Sequence, residues 1–249
     1  MSRLKIFALI LASVYCASVS GQEKGPTFIG VAGGISMPLG NWGKSKLIIS
    51  TTDYANDPAG FAAIGPVGGV EGAWFLNKHI GIGGLFTYAS YQTKDLATLS
   101  LGYERSFDVD SVNTTAGSYR IWNLMPGVYF NYGIQSKLSF TGRVLVGITH
   151  VTTPRIAVAV FDGGIYDGTP EQKEASKTSY IFDVGAGLSY RVIKSVGINL
   201  KADYFYSKPD ISIQNTLRQN RAGRRVDEYD QPLSGLNISL GAAYFFRSK

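Results

Sequence analysis

Two alternations of polar and apolar positions dominate the stretch from Ser179 to Ser207. Phe182, Val184, Ala186, Leu188, Tyr190 and Val192 share one face of the first; Val196, Ile198, Leu200, Ala202, Tyr204 and Tyr206 share one face of the second. Asp183, Gly185, Gly187, Ser189 and Arg191, then Gly197, Asn199, Lys201, Asp203 and Phe205, lie opposite. A period of two predicts strands with chemically different faces. Both apolar sets fall on even numbers. A hairpin that keeps them together therefore needs an odd-length turn, most simply Ile193-Lys194-Ser195.

The same pattern recurs along the chain. It predicts strands over about 27–37, 65–76, 80–91, 119–132, 137–150 and 236–246. Pro38 and Gly40 end the first of these, and Pro126 inside the fourth predicts a bulge or an irregular ladder. With the opening hairpin this makes eight strands, joined by three tight turns and four long polar segments. Long connections are rare in compact domains, where hairpin loops run to about 2–5 residues. Their strict alternation with short turns is the layout of a transmembrane barrel with short periplasmic turns and long external loops. Trp74, Tyr132, Tyr190 and Phe246 lie near the short turns, and Tyr88, Trp122, Phe182, Tyr204 and Tyr206 near the long loops. Two aromatic bands on the apolar face are what anchoring at two membrane interfaces produces. The soluble alternative, a lipocalin-like barrel, would put midstrand charges in its ligand cavity. The fold expected is all-β, an eight-stranded antiparallel up-and-down transmembrane β-barrel.

Composition changes the picture at the N-terminus. Arg3 and Lys5 precede an apolar run from Ile6 to Val14 and then small residues up to Gly21, as in a secretory leader. Residues 1–21 are expected to be a signal peptide and 22–249 the barrel domain. The apolar run is too short to cross a bilayer as a helix. The chain's one cysteine, Cys16, lies within the leader, so the barrel is expected to fold without disulfides. Across all 249 residues, 24 Lys+Arg stand against 18 Asp+Glu; losing Arg3 and Lys5 with the leader takes the formal charge from +6 to +4. Weak basicity combined with export does not point to nucleic acid.

The Gly-rich opening strand FIGVAGGISMPLGNW, the passage AGFAAIGPVGGVEGAWFL and the closing NISLGAAYFF resemble the small outer-membrane β-barrel family of gram-negative bacteria, of OmpA/OmpX or PorT-like type. The resemblance implies residence in the outer membrane, contact with its lipid and lipopolysaccharide, insertion by the barrel-assembly machinery through the terminal aromatic Phe246, and a monomer. It implies no cofactor. Ending at Lys249, the chain is expected to lack the peptidoglycan-binding domain of two-domain relatives.

Counting from the short turns places Glu71, Arg143 and Lys201 five residues into their strands, with Asp203 a step further. That is roughly 12 Å above the turns, near mid-membrane. Two acids and two bases at one depth predict a neutral plug of ion pairs, extended by Asp183, Asn123, Asn131 and Asn199. Eight strands leave an interior that side chains can fill, so no general diffusion pore is expected. A gated path for ions or small solutes, or a secretion accessory, is the alternative; a lipid-modifying enzyme is the third. For the last, His150 at the outer end of its strand is the candidate base, with Thr149 or loop acids as partners, and no Ser-His-acid spacing is legible. His79 is expected to be a solvated turn residue. Asp162, Asp167 and Glu171 lack a calcium-loop spacing. Function is sought in the loops. Arg218, Arg221, Arg224 and Arg225 suit a surface polyanion such as lipopolysaccharide phosphate. Arg155–Phe161 (RIAVAVF) and the KLIIS segment of the first loop are expected to prolong barrel strands and to offer edges to a protein or glycan partner.

Overall fold

The computed structural model describes residues 25, 27–45, 59–215 and 225–246; for 106, 213–215 and 225–230 it describes the backbone alone. The expected leader lies outside the described residues. Eight strands close a barrel: β1 (Phe28–Leu39), β2 (Gly65–Phe75), β3 (Ile80–Gln92), β5 (Ser118–Gly133), β6 (Leu138–Thr152), β10 (Ser176–Ile193), β11 (Val196–Ser207) and β14 (Leu233–Phe245). Each pairs antiparallel with its neighbours, and β1 closes the wall by pairing with both β2 and β14.

The two faces are chemically distinct. Ile29, Val31, Phe86, Leu124, Val146, Leu200 and Leu240 are exposed on the outside, while Phe75, Tyr129, Leu145 and Phe205 are buried inside. A continuous apolar exterior of this extent is unfavourable in water and favourable in lipid. No helix among the described residues is long and apolar enough to cross a membrane; the crossing is made by strands.

Local chemistry refines three expectations. Pro38 does not end β1: it stays in the ladder opposite Gly235, and the chain turns at Gly40, whose φ is 60°. The hairpin between β10 and β11 turns on Lys194 and Ser195 alone. A register shift between Arg191 and Ile193 supplies the odd residue that holds both apolar sets on the outside. Pro126 forms no bulge. Its pairing with β3 is unbroken, and on the β6 side the pairs at Met125 and Pro126 drop out, as expected where a missing N–H faces a neighbour's carbonyl.

The long loops hold more order than their polar composition suggests. The second contains α1 (Leu96–Phe107) and β4 (Ser111–Ala116); the third contains β7 (Ile156–Asp162), β8 (Ile165–Gly168) and β9 (Glu171–Gln172); the fourth contains β12 (Asp210–Asn215) and β13 (Arg225–Asp230). They combine into one separate sheet, in the order β13-β12-β9-β7-β4, with β8 paired to β7. This corrects the expectation for Arg155–Phe161. The segment pairs with β4 and β9 in the loop sheet and does not prolong a barrel strand. Gly163 and Gly164, with φ of 57° and 76°, give the β7–β8 hairpin the left-handed pair that a tight turn requires. Val158 and Val160 are buried beneath Tyr103 and Phe107 of α1, which fixes the helix to this sheet. The KLIIS segment lies outside the described residues.

Candidate functional site

The inward face of the barrel is layered. At mid-height Glu71, Arg143, Asp183, Lys201 and Asp203 come together from β2, β6, β10 and β11, all of them buried. Arg143 is the hub. Its guanidinium binds Glu71, reaches Asp203 at 2.7 Å and has Asp183 at 3.7 Å, while Lys201 takes the other side of the Glu71 carboxylate. A guanidinium carries five donors in a planar fork and can serve several acids at once. Asp183 is thus a direct member of the cluster rather than an extension of it. Three carboxylates face two bases, so the five side chains carry one formal negative charge in place of the neutral sum expected from four.

Small residues make room for these long ones. Gly185 sits between Arg143 and Asp203 in the register. A Cβ there would overlap the Asp203 carboxylate and come within 3.0 Å of Arg143 Nε. Gly185→Ala is accordingly expected to destabilise the barrel by about 1–3 kcal/mol, the usual range for overpacking. A urea-unfolding midpoint in phospholipid vesicles tests this, and an unchanged midpoint would show that the cluster can shift aside. Two cavities of about 30 Å³ flank the charges, one lined by Tyr129, Asn199 and Phe245, the other by Thr87, Leu85 and Asn237. Each has room for little more than a water. Asn123 donates to Thr87 Oγ1 at 2.9 Å above the charges.

Aromatic layers cover the charges at both ends. Towards the short turns, Phe28 packs on Tyr129 and Phe245, with ring centroids 6.1 and 5.9 Å away, and the Arg191 guanidinium lies 4.8 Å from the Phe245 ring centre. Towards the long loops, Trp42 has no exposed surface and meets Tyr91, Tyr119 and Phe205 nearly edge to face. The first loop is tied down around it. Trp42 carbonyl accepts from Ala62 N, Asn41 carbonyl from Gly60 N, and Tyr119 Oη donates to Gly60 carbonyl at 2.9 Å. Phe61 holds a left-handed φ of 52° in this strap. In the sequence Trp42 stands at the start of a long polar segment, and the one sign of its role is a bulky aromatic shortly after the Gly40 turn.

The remaining sequence candidates fall elsewhere. His150 points outwards, stacked on Trp122 at 5.4 Å and bonded through Nδ1 to Thr178 Oγ1 at 2.9 Å. Its expected partner Thr149 faces the opposite way and is buried inside the barrel. His79 is not simply solvated: its ring stacks on Tyr132 and its Nδ1 contacts Asn131 carbonyl. Glu171 binds Arg155, and among the described residues no three His, Cys, Asp or Glu side chains gather as metal ligands. Desolvation against the loop sheet pushes the Tyr103 phenol above its ordinary range. Arg218, Arg221 and Arg224 lie outside the described residues, in the stretch that joins β12 to β13; Arg225 opens β13.

No family model and no curated protein matches the sequence. Solved structures do. Neisserial surface protein A is 12% identical, with 88% of this chain and 97% of that one covered at a TM-score of 0.46. Ail, the attachment invasion locus protein of Yersinia pestis, is 15% identical, with 90% and 100% covered at 0.44. A major outer membrane protein from Thermus thermophilus is 12% identical, with 89% and 100% covered at 0.49. Independently of these likenesses, the closed eight-stranded wall, the apolar exterior and the long loops gathered at one end give this chain the fold of a small outer-membrane β-barrel.

Proposed function

We propose that the protein is a sealed outer-membrane scaffold whose activity is binding at the cell surface, through the sheet built from its external loops. The observation that carries this reading is the loop sheet itself. Segments from three loops are hydrogen-bonded into one body, with α1 packed on it, above a barrel whose interior is filled by charges between two aromatic layers. Ordering so much loop is entropically unfavourable, and a preformed surface lowers the ordering cost of binding. Conduction is less well supported, because buried charges at mid-height and an aromatic layer on either side of them occupy the interior. Hydrolytic chemistry is also less well supported. The His150–Thr178 contact has the nucleophile–base geometry, but His150 has no orienting acid among the described residues, and the neighbouring backbone N–H groups belong to the ladders.

The ligand class proposed is a surface polyanion, taken by Arg218, Arg221, Arg224 and Arg225 in and beside the β12–β13 connection. Replacing all four by Gln in protein held in neutral-lipid nanodiscs is expected to weaken binding to immobilised heparin about tenfold or more. Wild-type retention should fall with added salt. Retention that is unchanged by the four substitutions would overturn the polyanion reading.

A further inference from the structure

Three rows of outward side chains cross β3, β5, β6 and β10 near the loop end of the barrel. The row nearest the membrane centre is Phe86, Leu124, Ile148 and Tyr180; the next is Tyr88, Trp122, His150 and Thr178; the outermost is Ser90, Arg120, Thr152 and Ser176. Within two rows the wall passes from wholly hydrophobic and aromatic to wholly polar. The middle row is therefore the depth at which amphipathic rings meet lipid headgroups.

The polar side chains there form three neighbouring sets of contacts. Trp122 stacks on His150 with 21° between the planes, Thr178 Oγ1 lies 2.9 Å from His150 Nδ1, Thr152 and Ser176 hydroxyls are 2.9 Å apart, and Arg120 binds Glu174 at 2.8 Å. With Thr178 donating to Nδ1, the neutral imidazole carries its hydrogen on Nε2, which has no partner among the described residues. Arg120 is half exposed and binds Glu174 through one nitrogen, so donors remain on the guanidinium. Glu174 itself bears an opposing charge, offset by the pair it makes with Arg120.

We propose that this patch binds the phosphate of one outer-leaflet lipid, with Arg120 and His150 Nε2–H as donors, Trp122 as the interfacial ring beside it, and the acyl chains lying along Phe86, Leu124 and Ile148. The unused donors on Arg120 and His150 match the acceptor oxygens of a phosphate, and continuity with the apolar rows selects a lipid over a soluble anion. The site is on the barrel wall and does not depend on the loop arginines.

The test uses the full barrel in phosphatidylcholine nanodiscs with increasing fractions of phosphatidic acid, followed by NMR of the Arg120 Nε–H and His150 imidazole signals. Saturable shifts are expected with phosphatidic acid and none with phosphatidylcholine alone. Arg120→Gln combined with His150→Gln should weaken the apparent affinity about tenfold, judged in the double variant by the Trp122 indole signal. Heat-modifiable migration on gels should stay as in wild type, showing that the wall is intact. Equal shifts in neutral nanodiscs, an unaltered affinity in the double variant, or the same response to soluble glycerol phosphate would each overturn the proposal.

Discussion

Arg143→Ala should lose about 3–5 kcal/mol of stability in urea unfolding from phospholipid vesicles, the range measured when one partner of a buried ion pair is removed. Arg143 is the shared partner of Glu71, Asp183 and Asp203, and without it Lys201 alone faces three buried carboxylates. The charges themselves are not expected to be the source of stability. A variant with Arg143→Met, Asp183→Asn and Asp203→Asn keeps the Glu71–Lys201 contact and removes the uncompensated acids; it should recover most of the loss. If Arg143→Ala unfolds within about 1 kcal/mol of wild type, the cluster is solvated and the interior is not a plug.

The second large effect concerns the outer seal. Trp42→Ala removes a fully buried indole from among Tyr91, Tyr119 and Phe205, a change that typically costs about 3–5 kcal/mol in a packed core. Here the loss should fall on the docking of the first loop, because the barrel ladders do not pass through Trp42. A cysteine placed at Asn237, which is buried and lines the upper cavity, reports the opening. The only native cysteine lies in the expected leader, so the background is clean. Labelling by an externally added, membrane-impermeant thiol reagent is expected to rise at least about tenfold in the Trp42→Ala background. Planar-bilayer current should remain absent, since the charges and the Phe28–Tyr129–Phe245 layer still close the barrel below. Steady conductance in Trp42→Ala alone would mean that the indole is the whole barrier.

Much of the wall was legible before any coordinate. An alternation of period two assigns each strand residue to a face without knowledge of its neighbours, so Leu188, Leu200 and Leu240 could be placed outside and Glu71, Lys201 and Asp203 inside. Counting residues from the short turns also gives depth, because strand rise and barrel tilt vary little. That is why four of the five clustered charges could be grouped. Asp183 was harder: counted from its short turn it lies beyond the other four, and only the register, which sets Arg143 opposite Gly185 two residues away, brings it within reach. Chemistry between strands was likewise beyond reach in sequence. His150 was matched with adjacent Thr149, although residues adjacent in a strand face opposite sides; its real neighbour, Thr178, comes from the register of β6 against β10.

The loops divide differently. Their polar composition says only that they meet water, and short segments such as Ser111–Ala116 and Asp210–Asn215 carry too few alternations to declare strands. They become strands by pairing with one another, β4 with β7 and β12 with β13, once the closed barrel holds all the loop ends at one rim. By itself the sequence determined the number of barrel strands, the lipid-facing surface and the polar interior, because these follow from local periodicity. Only the tertiary structure decided which charges meet, that Trp42 closes the mouth and that three loops share a sheet, because each depends on register between segments far apart in the chain.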